Sequence, residues 1–120
     1  MTDAELLARA DAVAERAYAP YSKFLVGCAV LTRDGRVIEG VNVENAAYPL
    51  GVCAERAAFS RAIAEGHRLG DFVVAAVTAS PCGGCRQWLV EMGVERVVFR
   101  HGADVRTMTT SELLPDTFEL

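Results

Sequence analysis

Residues 53–56 read Cys-Ala-Glu-Arg, and residues 81–87 read Pro-Cys-Gly-Gly-Cys-Arg-Gln. The first stretch places a glutamate two positions after a cysteine, and the second places a Cys-x-x-Cys pair directly after a proline. Three thiolates can hold a zinc ion and leave its fourth tetrahedral position open for water. The two stretches therefore predict a hydrolytic site in which Cys53, Cys82 and Cys85 bind one Zn²⁺ per chain and Glu55 carries protons.

Composition limits the partners of such a site. The 120 residues are 52% hydrophobic and carry a formal net charge of -4. A chain of this length is expected to form one domain, here residues 1–120. The chain has no run of Lys or Arg that could bind the phosphates of a nucleic-acid backbone, so we expect no nucleic-acid partner. Charged residues interrupt the apolar positions near the N-terminus, which predicts neither a signal peptide nor a membrane anchor and so favours the cytoplasm.

Hydrophobic periodicity and turn residues predict alternating helices and strands. A capping box at residues 2–5 begins a first helix that is expected to run to about residue 17. Further helices are expected at 53–65, 81–92 and 111–114, and strands at 24–32, 37–43, 72–77, 96–99 and 104–108. The three cysteines then fall at helix starts, where free amides and the helix dipole favour thiolates. This alternation predicts a three-layer α/β/α domain.

The block from Asn42 to Arg56 closely resembles the core of the small cytidine deaminases, zinc enzymes that act on free nucleosides. Four further segments agree in order: residues 18–24, the turn at 34–35, residues 81–87, and residues 113–115 with Phe118. The resemblance covers nearly the whole chain. It implies a mixed five-stranded sheet, a homotetramer, and zinc-dependent conversion of cytidine and 2′-deoxycytidine to uridine and 2′-deoxyuridine in pyrimidine salvage.

The resemblance also implies roles for two residues beside the metal. Glu55 matches the carboxylate that moves protons between water and the pyrimidine ring, first as a base and then as an acid. Arg56 matches an arginine that donates hydrogen bonds to the ligand thiolates and so offsets their charge. The ordinary alternative for each residue is a solvated side chain on a helix surface. Their place within the Cys-Ala-Glu-Arg stretch favours the functional roles.

Substrate contacts are implied at four further positions. Asn42 and Glu44 match residues that bind the ribose 3′-hydroxyl. Phe24 matches the residue that packs against the pyrimidine ring, and Ala54 matches one whose backbone amide contacts the base. Without the resemblance, the polar pair would be interpreted as a solvated strand face and the apolar pair as core residues.

Two aromatic residues and one short loop bear on assembly. Tyr48 matches an aromatic residue at a subunit boundary, and Phe118 matches one that reaches a neighbour's active site in the tetramer. The loop at residues 78–80 is several residues shorter than in the family that the chain resembles. Because it lies directly before two of the expected zinc ligands, the short loop bears on substrate breadth and on subunit contacts.

Several alternatives remain open from the sequence. The substrate could instead be blasticidin S or a modified cytosine nucleoside. A non-catalytic, zinc-stabilised binding protein would need a fourth ligand, and Cys28, His67 and His101 are the candidates, none of them in ligand spacing with the motif. Four cysteines could also pair as two disulfides, but metal-ligand spacing and the absence of an export signal favour reduced thiols.

Overall fold

The computed structural model describes all 120 residues. Its helices are α1 (Asp3–Ala14), α2 (Ala54–Ala64), α3 (Gly83–Glu91) and α4 (Thr110–Leu113), with a 3₁₀ turn at Tyr48–Leu50. Its strands are β1 (Gly27–Thr32), β2 (Val37–Val41), β3 (Phe72–Val77), β4 (Arg96–His101) and β5 (Asp104–Met108). None of these helices combines the length and the apolar character that crossing a membrane requires.

The five strands form one mixed sheet in the order β2-β1-β3-β4-β5. The β3–β4 pair is parallel, and the other three pairs are antiparallel. Apolar side chains project from both faces of the sheet. One face packs against α1 through Leu6, Leu7 and Ala10, and the other holds a larger core that includes Ala58, Phe59, Leu89 and Leu113 from the remaining helices. The three-layer α/β/α architecture with a mixed five-stranded sheet is confirmed.

Every predicted helix and strand is present, and two boundaries differ by three residues. The capping box between Thr2 and Glu5 is formed, and the strand predicted at residues 72–77 has those limits. The first helix ends at Ala14, three residues before the predicted end, and β1 begins at Gly27 and not at residue 24. Residues 24–26 are apolar enough for a strand, but their backbone groups bind the Asn42 side chain instead.

Close approach of helix to sheet requires glycine at two positions. A Cβ atom at Gly40 on β2 would lie 2.3 Å from the Ala58 nitrogen of α2. A Cβ atom at Gly27 on β1 would lie 2.1 Å from the Ala10 carbonyl oxygen of α1. Both distances are shorter than a van der Waals contact, so each glycine lets a helix lie directly on a strand. The glycine on β2 thereby sets the position of the helix that follows Cys53.

Two ion pairs fix α1 against β4. Arg96 binds Asp3 through two hydrogen bonds of 2.9 Å, and Arg100 binds Asp11 through bonds of 3.0 and 2.5 Å. Eight residues along a helix and four along a strand both span roughly 12–13 Å, so the two pairs are in register. The hydrogen bonds from Arg96 hold the pKa of Asp3 below its ordinary value.

Candidate active site and metal centre

Three cysteine sulfurs meet where two helices begin. Cys53 is the N-cap of α2, and Cys82 is the N-cap of α3. Cys85 lies in the first turn of α3, and its backbone amide donates to the Cys82 sulfur at 3.4 Å. The three sulfur atoms all lie within 4.8 Å of one another. Residues that are up to 32 positions apart in the sequence are thus brought to one point.

The donor set fits zinc. Four-coordinate zinc binds thiolate sulfur at about 2.3 Å, which places two such sulfurs roughly 3.8 Å apart. The sulfur separations, none of which exceeds 4.8 Å, are compatible with this value. The cluster contains no further Cys, His, Asp or Glu, so Cys28, His67 and His101 all lie outside it. Three thiolates without a fourth protein ligand are the arrangement of a site that keeps one position open.

Burial affects the thiols unequally. Cys85 is buried, Cys53 is half-buried and Cys82 is exposed, and all four cysteines of the chain are free. Burial, together with the nearby Glu55 carboxylate, raises the pKa of Cys85 well above its ordinary value. Burial also raises the pKa of Cys53. For Cys82 burial acts in the same sense, but the Cys85 amide and the neighbouring thiols outweigh it, so the pKa of Cys82 is lowered.

Glu55 lies in the first turn of α2 and is 3% exposed. It lines the same cavity as the three cysteines. Burial raises the pKa of Glu55, and hydrogen bonding by its own backbone amide and by Cys85, with the charge of Arg56, opposes that rise only in part. A rise in this direction brings the pKa of a carboxyl group closer to neutral pH, and this favours both uptake and release of a proton.

Two arginines support the ligand loops, and the sequence identified one of them. Arg56 donates to the Gly51 carbonyl at 3.0 Å and so braces the loop before Cys53. The structure records no hydrogen bond from Arg56 to a cysteine, and its role beside the thiolates stays a prediction. Arg86 donates to the carbonyls of Pro81 and Leu113, each at 2.9 Å. It thus joins the loop that carries Cys82 to the end of α4.

A cavity of about 280 Å³ opens beside the cysteines, a size near the lower end of small-molecule pockets. Its lining contains every predicted metal, proton-transfer and substrate residue, namely Phe24, Asn42, Glu44, Cys53, Ala54, Glu55, Cys82 and Cys85, and does not contain Arg56. Ser22, Val26, Ala79 and Ser80 complete the lining. The cavity wall contains two carboxylates and no Lys, Arg or His. The site therefore suits a small ligand without negative charge.

The Asn42 side chain is already engaged with the protein. Its Oδ1 accepts from the Val26 amide at 2.8 Å, and its Nδ2 donates to the Phe24 carbonyl at 2.9 Å. A side-chain amide has two N–H donors, so one of them is left. Asn42 can therefore give a ligand one hydrogen bond while it holds the cavity wall in place.

The Glu44 carboxylate is engaged in the same way. Its Oε1 accepts from the amides of Tyr21 and Ser22 at 3.0 and 3.1 Å, and its Oε2 accepts from the Ser22 hydroxyl. The hydrogen bonds from Ser22 hold the pKa of Glu44 below its ordinary value, so the group is ionised. A carboxylate offers about four acceptor positions, which leaves about one for a ligand. Together Asn42 and Glu44 can donate to and accept from a single hydroxyl group.

The backbone amide of Ala54 is also available. Ala54 is the first residue of α2, and amides in the first turn have no partner inside their helix. The residue is 1% exposed, yet it lines the cavity. Its amide can therefore donate to a polar atom of a bound ligand, as the sequence predicts.

The two predicted boundary aromatics lie outside this cavity. Tyr48 is 77% exposed and packs edge-to-face with Tyr21, with ring centres 6.4 Å apart. Phe118 is 67% exposed and lines a separate groove together with Leu69 and Val90. Tyr48 lines a neighbouring groove that shares Ser22 and Glu44 with the cavity, whereas Phe118 shares no lining residue with it.

Comparison with known proteins agrees with this geometry. The family model for the cytidine and deoxycytidylate deaminase zinc-binding region matches residues 1–101. A cytidine deaminase from Halalkalibacterium halodurans is 44% identical over 122 residues, covering 94% of this chain and 91% of that protein. The crystal structure of a cytidine deaminase from Burkholderia pseudomallei superposes with a TM-score of 0.93 at 46% identity, covering 98% of this chain and 100% of that one. A cytidine deaminase structure from Mycobacterium tuberculosis gives a TM-score of 0.87 at 37% identity and covers 100% of this chain and 99% of that one.

Metal analysis tests the ligand assignment. We expect about one zinc ion per chain in the purified protein, as three thiolates with one open position imply. Substitution Cys82→Ala should remove most of that zinc, because two thiolates are left to hold it. Cys28→Ala is the matched control, since Cys28 is a buried core residue outside the cluster, and it should retain full zinc. Full zinc in Cys82→Ala would contradict the assignment.

Proposed function

The chain belongs to the cytidine and deoxycytidylate deaminase family, and from that premise we propose that it deaminates cytidine and 2′-deoxycytidine by zinc-dependent hydrolysis. The products are uridine or 2′-deoxyuridine and ammonia, as in pyrimidine salvage. One observation carries the proposal: the three-thiol cluster, the buried Glu55 and the Asn42–Glu44 pair all line one cavity. We propose that residues 1–120 act as one catalytic domain.

The residues divide the work between chemistry and binding. Zinc held by Cys53, Cys82 and Cys85 supplies the activation of water when it is bound. Glu55 takes a proton from the attacking water and delivers it to N3 of the pyrimidine. The same carboxyl group then transfers a proton toward the departing amino group, which leaves C4 as ammonia.

The remaining cavity residues orient the nucleoside. Phe24 packs against the pyrimidine ring, and the Ala54 amide donates to the base. The free N–H of Asn42 and the remaining acceptor position of Glu44 bind the 3′-hydroxyl of the ribose. Arg56 offsets the negative charge of the thiolates through its position beside Glu55.

Charge favours a nucleoside over its monophosphate. The family model also covers deaminases of deoxycytidylate, whose phosphate needs donors or cations for binding. The cavity wall contains Glu44 and Glu55 and no cationic side chain. A phosphate group would therefore meet two carboxylates without compensation, which disfavours the nucleotide as substrate.

We also propose a homotetramer in the cytoplasm. Many large apolar side chains are exposed around residues 18–52, including Tyr18, Tyr48 and Leu50. A monomer seldom leaves so many such groups uncovered, and burial between identical subunits is the common solution. Tyr48 and Phe118 are then boundary residues, with Phe118 reaching a neighbouring site. Free thiols at the metal centre suit a reducing compartment.

Glu55→Gln separates proton transfer from metal binding. The amide keeps the shape of the side chain but cannot shuttle a proton, so turnover of cytidine should fall by at least roughly 10² to 10⁴. Zinc content should stay unchanged. Glu15→Gln is the matched control because Glu15 is exposed at the end of α1, and it should keep full activity. Glu55→Gln activity within about tenfold of the unaltered protein would assign proton transfer to another group.

A substrate panel tests the ribose contacts. Cytidine and deoxycytidine should both react well because they share the 3′-hydroxyl. Cytosine and 2′,3′-dideoxycytidine should be worse in kcat/KM by on the order of 10² or more, since Asn42 and Glu44 are left unpaired. Glu44→Ala should reduce the difference in kcat/KM between cytidine and cytosine, mainly because it slows the turnover of cytidine. The nucleoside assignment is wrong if the unaltered protein treats cytosine, deoxycytidylate or blasticidin S as well as cytidine.

Sedimentation tests the assembly. The unaltered protein should sediment at about four times the chain mass of 12.9 kDa. Phe118→Ala should lower cytidine turnover without loss of zinc if its ring completes a neighbour's site. A fully active monomer would contradict both the tetramer and the role of Phe118.

A further inference from the structure

The cavity wall that carries Phe24 has no helix or strand to hold it. Residues 21–26 run from a turn into irregular backbone before β1 begins. The side chain of Phe24 is itself 61% exposed, so core packing does not fix its position. The ring must nevertheless lie at a defined place if it is to contact a pyrimidine. Within one chain, hydrogen bonds to this segment therefore supply the order.

Ser22 makes the connection between the two sides of the cavity. Its hydroxyl group donates to Oε2 of Glu44 and accepts from the Phe24 amide at 3.0 Å. A hydroxyl has one proton and two acceptor lone pairs, so both contacts can form at once. The Ser22 hydroxyl thus joins the carboxylate at the ribose side to the backbone of the ring at the base side.

The backbone between these contacts is in an uncommon conformation. Lys23 has φ of 62°, in the left-handed region that costs a non-glycine residue stability. The hydrogen bond from the Phe24 amide to the Ser22 hydroxyl spans Lys23, and the Lys23 amide donates to the Ala19 carbonyl at 3.0 Å. These two hydrogen bonds therefore hold the turn that directs Phe24. Removal of the Ser22 hydroxyl leaves the Phe24 amide without its acceptor and only the Lys23 bond in place.

We infer that Ser22 is a positioning residue that couples Glu44 to Phe24, so that the group binding the ribose also sets the ring that binds the base. The inference rests on the proposed function for its effect on substrate, but the coupling itself belongs to the free protein. Ser22 does not act on the reacting atoms. Its loss should weaken ground-state and transition-state binding alike, which raises KM and leaves kcat nearly unchanged.

Ser22→Ala and Ser22→Thr test the coupling. Ser22 is exposed, so both variants should fold and keep zinc. In Ser22→Ala the KM for cytidine should rise about three- to tenfold, as loss of a neutral hydrogen bond implies, with kcat within about twofold. Ser22→Thr retains a hydroxyl and should restore the KM. Ser60→Ala, an exposed serine on α2, is the control and should match the unaltered protein.

Hydrogen exchange of the Phe24 amide, measured by NMR without substrate, gives a readout that does not depend on turnover. Exchange should be faster in Ser22→Ala and also in Glu44→Ala, which removes the acceptor of the Ser22 hydroxyl, and it should be unchanged in Ser22→Thr and Ser60→Ala. Unchanged exchange in Ser22→Ala, or a loss confined to kcat, would overturn the coupling. If the unaltered protein fails to deaminate cytidine, the proposed function fails, whereas the exchange measurement still decides the coupling.

Discussion

The site depends on two helices that begin side by side on one face of the sheet. Cys53 starts α2 and Cys82 starts α3, and both helices pack on the same core cluster. The meeting point of the thiols is therefore set by helix packing, and that packing has little freedom. At Gly40 a single added carbon would lie 2.3 Å from the backbone of α2. A residue on β2 that is not a metal ligand thus sets where Glu55 and the first cysteine lie.

The two halves of the cavity are built differently. The half that contains the three cysteines lies at the N-termini of α2 and α3, and these helices are held by a packed core. This packing preorganises the thiols and Glu55. The substrate half is irregular backbone tied by the side chains of Asn42 and Glu44. These side chains serve the fold and the ligand together. Asn42 makes two hydrogen bonds to residues 21–26 and Glu44 makes three, and each keeps hydrogen-bonding capacity for a ligand. Substitution at either position therefore alters the cavity wall as well as the substrate contact.

Sequence patterns predict the parts of this structure that follow from local rules. The continuous apolar run at residues 72–77 is a buried strand, and the capping box at Thr2 begins α1. The patterns fail where side chains replace backbone partners: residues 24–26 look like a strand, but Asn42 takes their hydrogen bonds. Contacts between distant segments leave even less signal. Nothing near Ser22 in the sequence indicates that its hydroxyl joins Glu44 to Phe24.

The three-residue loop at residues 78–80 shows how a short connection can stiffen a site. Only three residues separate the end of β3 from Pro81, and both ends of the loop are tied. Thr78 exchanges hydrogen bonds of 3.0 Å with Gly27 on the neighbouring strand. Arg86 reaches back from α3 to the Pro81 carbonyl at 2.9 Å and to the Ser80 hydroxyl at 3.4 Å. A loop this short, with hydrogen bonds at both ends, cannot shift without moving β1 or α3. Cys82 lies directly after the loop, so the short connection also restrains the position of Cys82. Ala79 and Ser80 form part of the cavity wall.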